Sequence, residues 1–390
     1  MRRRRWLGWA GAGLAVPLAV TSPQLAAAPQ TTPDLSTAAT TPAAQASAAA
    51  DAAHAGVARA IESGAAQAPR MHGVVVEQGG RLVGEAYFSA DDQPSGSWFA
   101  RRVAFDADTL HDMRSITKSV IGLLVGVAEA RGRLDPARPV LDWFPEHAAL
   151  ATPERRAIRL EHLLTMTAGL AWDETGVSYA NVANSETRMS FSLDPVGYVL
   201  SREVVAAPGS RFVYSGGATL LLGEIVARAT GQAVDALARE SLFTPLGIER
   251  FEWRRHPVWG KPLPYSGLRL TPRSMVRLGR LMLDRGQYAG VSLVPSGWVA
   301  GLQQRHVADT GQGMGYGWQW WVGRFPRGPA AGLEWFAGRG NGGQVLMVVP
   351  GADAVVAVTA GRYNEPGSGL QSLRIGQSVI EALVGRGAGT

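Results

Sequence analysis

Ser115 and Lys118 stand three residues apart in the stretch MRSITKSVIG, Met113 to Gly122. The chain has 38 basic side chains, yet only Lys118 and Lys261 are lysines. Arginine keeps its proton inside a protein, whereas burial and neighbours can tune a lysine amine. On a helix, residues three apart share a face, so the two side chains would lie one above the other. An amine of lowered pKa there would help to take the serine proton. The unpaired N–H groups and positive potential of the helix start would favour a developing oxyanion. The competing account makes Ser115 a helix cap and Lys118 the partner of an acid, since chance supplies Ser-x-x-Lys pairs in many long chains. Lys261 forms no such pair, because Val258 lies three residues before it.

The elements that would hold this pair can be read from pattern. SVIGLLVGVAEA is apolar nearly all the way round, so a helix over Ser115 to Ala130 is expected to be buried rather than amphipathic. Other helical segments are Arg159 to Met166, Ala218 to Ala229, Met275 to Asp284 and Leu370 to Val384. GVVVEQGGRLVGEAYF (Gly73 to Phe88) has two β-prone runs around Gly79-Gly80, a hairpin signal. QVLMVVPGADAVVAVTAG (Gln344 to Gly361) repeats that arrangement around Pro350-Gly351. Both chain ends therefore contribute strands to one antiparallel sheet, with a helical region inserted, which is an α+β layout.

Composition narrows the classes. With 390 residues, 46% hydrophobic and 18% charged, the chain can bury a substantial core. The net charge of +6 includes Arg2 to Arg5, and 6 − 4 leaves only +2 for the rest. No basic stripe marks a nucleic-acid partner, and none is expected. Cysteine is absent, which excludes disulfides, thiolate metal sites and a cysteine nucleophile. Residues 1–28 read as an export leader: arginines, an apolar run from Trp6 to Val20, then small residues. Arg3-Arg4-Arg5-Trp6-Leu7 loosely fits a twin-arginine signal, so a periplasmic or secreted location is expected. Pro29 spoils the best cleavage match, which leaves an uncleaved membrane anchor as the other outcome. Residues 29–69, rich in Ala, Thr and Pro, suit a tether, although Asp51 to Ser63 could form a helix. The folded domain is expected over 70–390.

MRSITKSVIGLLVGVAEARGRLD resembles the nucleophile segment of class C type serine β-lactamases, penicillin-binding DD-peptidases and their esterase relatives. IRLEHLLTMTAGLAWDE (Ile158 to Glu174) and PGSRFVYSGGATLLLGEIVARATG (Pro208 to Gly231) are similar to the next blocks of that superfamily. LTPRSMVRLGRLML, YGWQWWV and GRGNGGQVLMVVPGADAVVAV continue the likeness in order, over roughly Gly73 to Val384. The resemblance implies a five-stranded antiparallel sheet flanked by helices, with a helical lobe across the active-site groove. It implies Ser115 as the acylated nucleophile, Lys118 as its partner amine and Tyr214 as a phenolate-type base. A phenol near pKa ~10 needs adjacent cations to ionise near neutrality, and Lys118 would supply one. The oxyanion would be held by the Ser115 and Asn341 N–H groups.

Two departures stand out. Gly216 replaces the family's usual Asn, and Gly338-Arg339-Gly340-Asn341 replaces Lys-Thr-Gly or His-x-Gly. Glycines there let the backbone approach a ligand closely. Gly216, Gly340, Arg339 and Trp172 are expected to border the substrate, Arg339 either binding a substrate carboxylate or remaining a solvated arginine. GNGGQ looks more like the aminohexanoate-dimer hydrolase and esterase branch than a typical class C β-lactamase.

Other signals lead elsewhere. GRGNGG precedes a strand, whereas a dinucleotide fingerprint follows one. No Gly-x-Ser-x-Gly elbow is present. His162 reads as structural, Asp173 and Glu174 as helix-end or loop residues with lining the groove to meet a cationic substrate group as the other reading, and Trp318, Trp320 and Trp321 as core or pocket wall. The expectation is thus an exported serine hydrolase cleaving a small ester, amide or peptide through an acyl-enzyme, with no cofactor or metal. The alternatives are a DD-carboxypeptidase or β-lactamase, and a non-catalytic wall-binding or sensory module.

Overall fold

In the computed structural model the described residues are 42–385, so the expected leader (1–28) and the first part of the tether lie outside them. The compact unit begins at Ser47. Its centre is an antiparallel sheet of seven strands, β1 (Met71–Gln78), β2 (Arg81–Tyr87), β3 (Gly315–Tyr316), β4 (Trp321–Arg324), β5 (Glu334–Gly340), β6 (Gln344–Val349) and β7 (Ala354–Ala360). They lie in the order β3-β4-β5-β6-β7-β1-β2. The first strand of the chain pairs with the last, Val74 opposite Val358 and Val76 opposite Val356, as the two end hairpins imply. Seven strands rather than five arise because Tyr316 pairs with Trp321, and Trp321 with Ala337, extending one edge. Strands of two and four residues are too short for an alternating pattern to show.

The main helices are α1 (Pro42–Gln67), α2 (Ile116–Ala130), α3 (Leu160–Leu164), α4 (Ser185–Phe191), α5 (Pro195–Leu200), α6 (Gly216–Thr230), α7 (Pro272–Leu283) and α8 (Ser368–Val384), with an eight-residue helix over Ser296–Gln303 and shorter turns between them. Glycines mark where they meet the sheet. A Cβ on Gly279 of α7 would lie 2.3 Å from Val355, and one on Gly376 of α8 would lie 3.0 Å from Met347. Helix α7 thus covers one face and α8 the other. With both faces covered, β6 and β7 are buried at every position, which is why they read as continuous apolar runs.

Helix α1 differs from the expected tether. Val57 and Ile61, one turn apart, are buried, and Val57 packs into the space left by Gly84 of β2. A Cβ on Gly64 would meet Ile375 of α8 at 3.0 Å. A boundary at residue 70 therefore cuts this helix from the layer it completes. The Ala-rich composition hides a stripe of two large apolar residues, enough to dock a helix that α8 and β2 already flank.

Helix α2 lies between the sheet and the helical lobe, buried from Ile116 to Ala128 as its all-round apolar sequence implies. It packs on α6, which packs in turn on α3. Close approach is enforced at Gly126, where a Cβ would fall 2.3 Å from the Trp298 ring.

Candidate active site

Three anchors fix the start of α2. The short strand His111–Asp112 pairs with Leu268–Leu270, and Met113 N–H donates to the Leu268 carbonyl at 2.9 Å. Thr117 Oγ1 accepts from Leu268 N–H at 3.1 Å, and Ser119 Oγ donates to the Gln319 carbonyl at 2.8 Å. Between them Arg114 has φ +49°, a conformation that non-glycine residues rarely adopt and that tends to occur at functional sites. Its guanidinium is held over the Tyr363 ring at 4.4 Å and beside Asp112 at 3.4 Å.

Ser115 follows at the N-cap position, yet its side chain caps nothing. Its Oγ instead accepts a hydrogen bond from Lys118 Nζ at 3.1 Å. The Lys118 amine also donates to the Tyr265 carbonyl at 3.0 Å and to Glu186 Oε2 at 3.4 Å, and it lies 3.8 Å from Glu174 Oε1. Three acceptors around one nitrogen match the three donors of an ammonium. Burial alone would push the amine pKa down, but the negative potential of the Tyr214, Glu186 and Glu174 oxygens outweighs it and holds it above the ordinary value. This overturns the expected lowered pKa: Lys118, only 1% exposed, is a buried cation with two carboxyl neighbours that the sequence did not reveal.

Tyr214 is set by the segment ahead of α6. Val213 N–H donates to the Met166 carbonyl at 2.8 Å, and Ser215 caps α6 by accepting from Ala218 N–H at 3.1 Å. The Tyr214 ring rests 5.7 Å from the Trp321 ring and 5.1 Å from Lys118 Nζ. Enclosure pushes the phenol pKa up, Lys118 and the Ser115 hydroxyl pull it down, and Glu174 and Glu186 push it up again, for a net rise.

Ser115 opens on a cavity of about 410 Å³, bordered by Arg114, Glu186, Tyr265, Asn341 and Tyr363, among others. Among the described residues, neither the Ser115 nor the Asn341 N–H is engaged by another protein group. The Asn341 amide itself is committed to Asn364, donating through Nδ2 at 2.7 Å and accepting from Asn364 N–H at 2.8 Å. Gly340 lets β5 come close: a Cβ there would stand 2.3 Å from the Met113 carbonyl oxygen.

Two expected substrate contacts are placed elsewhere. Strand alternation sends Gly338 and Gly340 toward α2 but Arg339 toward α8, where its Nη2 would be 3.1 Å from a Cβ on Gly369. Its guanidinium covers the Trp321 ring at 4.7 Å, and Arg339 does not border the cavity. Trp172 is likewise behind the site, packed against Gly217 with Nε1 donating to Glu174 Oε2 at 2.8 Å. Gly216 is next to the site through its N–H, which donates to the same Glu174 oxygen at 2.6 Å. His162 is structural, its Nδ1 accepting from Arg159 N–H at 3.0 Å.

Glu174, read as a loop residue, is a hub: besides Trp172 and Gly216 it accepts from the Tyr179 hydroxyl at 2.9 Å. Glu186 and Tyr265 were missed altogether. An acidic residue in the first turn of a helix, two after the Asn184 cap, has an ordinary reading as a partner of the helix dipole, which masks Glu186. Tyr265 acts through its backbone carbonyl, for which a side-chain pattern carries no signal.

The sheet with its helical lobe, and a serine, lysine and tyrosine meeting beneath a cavity, define the serine β-lactamase-like class. Comparison with known proteins agrees: the Beta-lactamase family model matches residues 57–374, and the chain belongs to that family of serine hydrolases. It is 29% identical over 293 residues to the 6-aminohexanoate-dimer hydrolase of Paenarthrobacter ureafaciens, covering 70% of this chain and 72% of the relative. It is 36% identical over 196 residues to esterase EstB of Burkholderia gladioli, covering 48% and 50%. The solved structure of EstCE1, described as a hydrolase with promiscuous acyltransferase activity, superposes with a TM-score of 0.66 at 18% identity, over 85% of this chain and all of that one.

Proposed function

We propose that the protein hydrolyses a small ester or amide through an acyl-enzyme on Ser115. The observation that carries this reading is the 3.1 Å contact between Lys118 Nζ and Ser115 Oγ at the floor of the cavity. Tyr214 first gives its phenol proton to solvent, and Ser115 Oγ then bonds to the substrate carbonyl carbon while the serine proton passes to that phenolate. The Ser115 and Asn341 N–H groups hold the oxyanion. Tyr214 returns the proton to the leaving alcohol or amine as the tetrahedral intermediate collapses. Water then repeats the sequence in reverse order and frees the acid and Ser115. Lys118 remains an ammonium throughout, and its charge lowers the cost of a transient phenolate at Tyr214.

The similarity to an aminohexanoate-dimer hydrolase and to an esterase supports linear amides and esters as the substrate class. Gly216, with no side-chain amide to offer, and Arg339, turned toward α8, argue against β-lactams and wall peptides. Export by the N-terminal leader completes the proposal and is tested by N-terminal sequencing of the mature protein. Ser115→Ala is expected to abolish turnover of a nitrophenyl ester, and a fluorophosphonate should label Ser115 in the parent protein. Full turnover by the variant overturns the mechanism.

A further inference from the structure

Position 216 has no side chain, yet the space in front of it is full. A Cβ on Gly216 would lie 2.0 Å from Glu186 Oε2 and 2.9 Å from Glu186 Cδ. The carboxyl is delivered by α4, whose first turn is fixed by the Asn184 side chain accepting from Glu186 N–H at 2.9 Å and Thr187 N–H at 3.2 Å. Asn184 is itself buried and donates to the Glu174 and Val177 carbonyls. This short helix is therefore locked to the loop that also bears Glu174. Glu186 is 8% exposed, and it borders the cavity that opens on Ser115.

We propose that Glu186 is a positioning residue for the Ser115 reaction: standing where a side chain at 216 would be, it clamps Lys118 beside the nucleophile, and its charge governs how readily Tyr214 gives up its proton. The inference rests on the acyl-enzyme reading above. The clamp is geometric. With one N–H on Glu186 and one on the Tyr265 carbonyl, the third Lys118 N–H is aimed at Ser115 Oγ. Removing the Glu186 acceptor frees the long lysine side chain to turn toward Glu174, 3.8 Å away.

The charge effect follows from the groups that face Glu186. They are Lys118 from α2, Glu174 from the loop after α3, Tyr214 ahead of α6, and Tyr179 and Tyr265 from the flanking loops. The Tyr179 hydroxyl is committed to Glu174, and the Tyr265 hydroxyl to Ser190 at 3.0 Å. Glu174 and Glu186 both face the Lys118 amine, and two neighbouring carboxyls cannot both ionise cheaply. Glu174 already accepts from Trp172, Tyr179 and Gly216, so the proton resides on Glu186. Burial and Glu174 push the Glu186 pKa up to about 8, against the pull of Lys118. Below that pH Glu186 is neutral and Lys118 serves Tyr214. Above it a second anion opposes ionisation of Tyr214.

The experiment is kcat and KM of the full-length protein for a nitrophenyl ester from pH 6 to pH 10, with rates normalised to the fraction that a fluorophosphonate labels at completion. In the parent protein kcat is expected to decline above pH about 8. Glu186→Ala should lower kcat at pH 7 by about tenfold or more and change KM less than about threefold. Glu186→Gln keeps the volume and the acceptor, so it should recover part of that loss and lack the alkaline decline. An alkaline decline unchanged in Glu186→Gln, or a Glu186→Ala kcat equal to the parent's, overturns the inference. Turnover by Ser115→Ala, measured alongside, would instead overturn the acyl-enzyme reading, so the two failures are distinguishable.

Discussion

Ser115 Oγ accepts its hydrogen bond from Lys118 Nζ, one turn further along α2, and not from a backbone N–H of its own helix. A serine at this position would ordinarily satisfy an orphan N–H at N2 or N3. Here the hydroxyl is released from that duty and turned to the cavity, while the lysine is pinned from three sides.

The choice of lysine is testable by Lys118→Arg. The variant keeps the charge but brings a planar, wider group into a site that is 1% exposed and ringed by three fixed acceptors. The expected result is a fall in kcat/KM of about 10³-fold against a nitrophenyl ester, comparable to losses when one member of a catalytic unit is removed. Activity within tenfold of the parent would show that any cation suffices.

Tyr214→Phe separates packing from proton transfer. The ring keeps its contact with Trp321, so the melting temperature should change little. Loss of the hydroxyl should lower kcat by about 10² to 10⁴-fold, the usual range for a general base. Near-parent kcat would assign the base elsewhere.

Gly216→Ala tests whether the space before α6 belongs to Glu186. The added methyl would fall 2.0 Å from Glu186 Oε2, so the carboxyl must leave Lys118. A drop in kcat of at least about tenfold is expected, together with a lower melting temperature, since overpacking a tight site costs about 1–3 kcal/mol. Pairing it with Glu186→Ala should restore the melting temperature but not kcat. Full activity of the single variant would show that the carboxyl moves without consequence.

Acid stability should be set by the buried imidazoles His72 and His111, whose Nδ1 atoms are 3.2 Å apart beneath Phe105. Burial lowers the His72 pKa to about 4 and holds that of His111 well below its ordinary value. The unfolded chain therefore binds more protons than the native one between pH about 6.5 and 4, and stability falls as pH is lowered through that window. Melting temperatures measured across it should decline, and a flat profile would contradict the buried neutral pair. Glu186 acts in the opposite sense. Its raised pKa means stability is fully present below pH about 4.5 and is lost as pH rises through about 8. Glu186→Gln should remove that alkaline loss.

Much of the frame was legible because it rests on local regularity. The two end hairpins, the buried α2 and the Ser115–Lys118 spacing each follow from periodicity within a dozen residues, and each is where the pattern placed it. The sheet edge was not legible, since β3 and β4 are too short to show alternation. Helix α1 was concealed by its alanines, its docking resting on Val57 and Ile61 alone among large side chains. Arg339 and Trp172 were placed at the substrate by position along the chain. Which face of β5 meets the cavity, and which side of the Glu174 loop, depends on the packing of α2 and α8 against the sheet.

The sequence by itself determined that a serine and a lysine share one face at the start of a buried helix, because helix geometry ties residues three apart whatever surrounds them. Only the tertiary structure decided the state of that lysine. Burial in isolation would have stripped its proton, but Glu174 and Glu186, 56 and 68 residues further along the chain, converge on it, and this carboxyl pair, even when sharing one proton, keeps it charged. Electrostatic energy depends on distance in space, so a charge environment assembled from three separate segments leaves no trace in the spacing of any one of them.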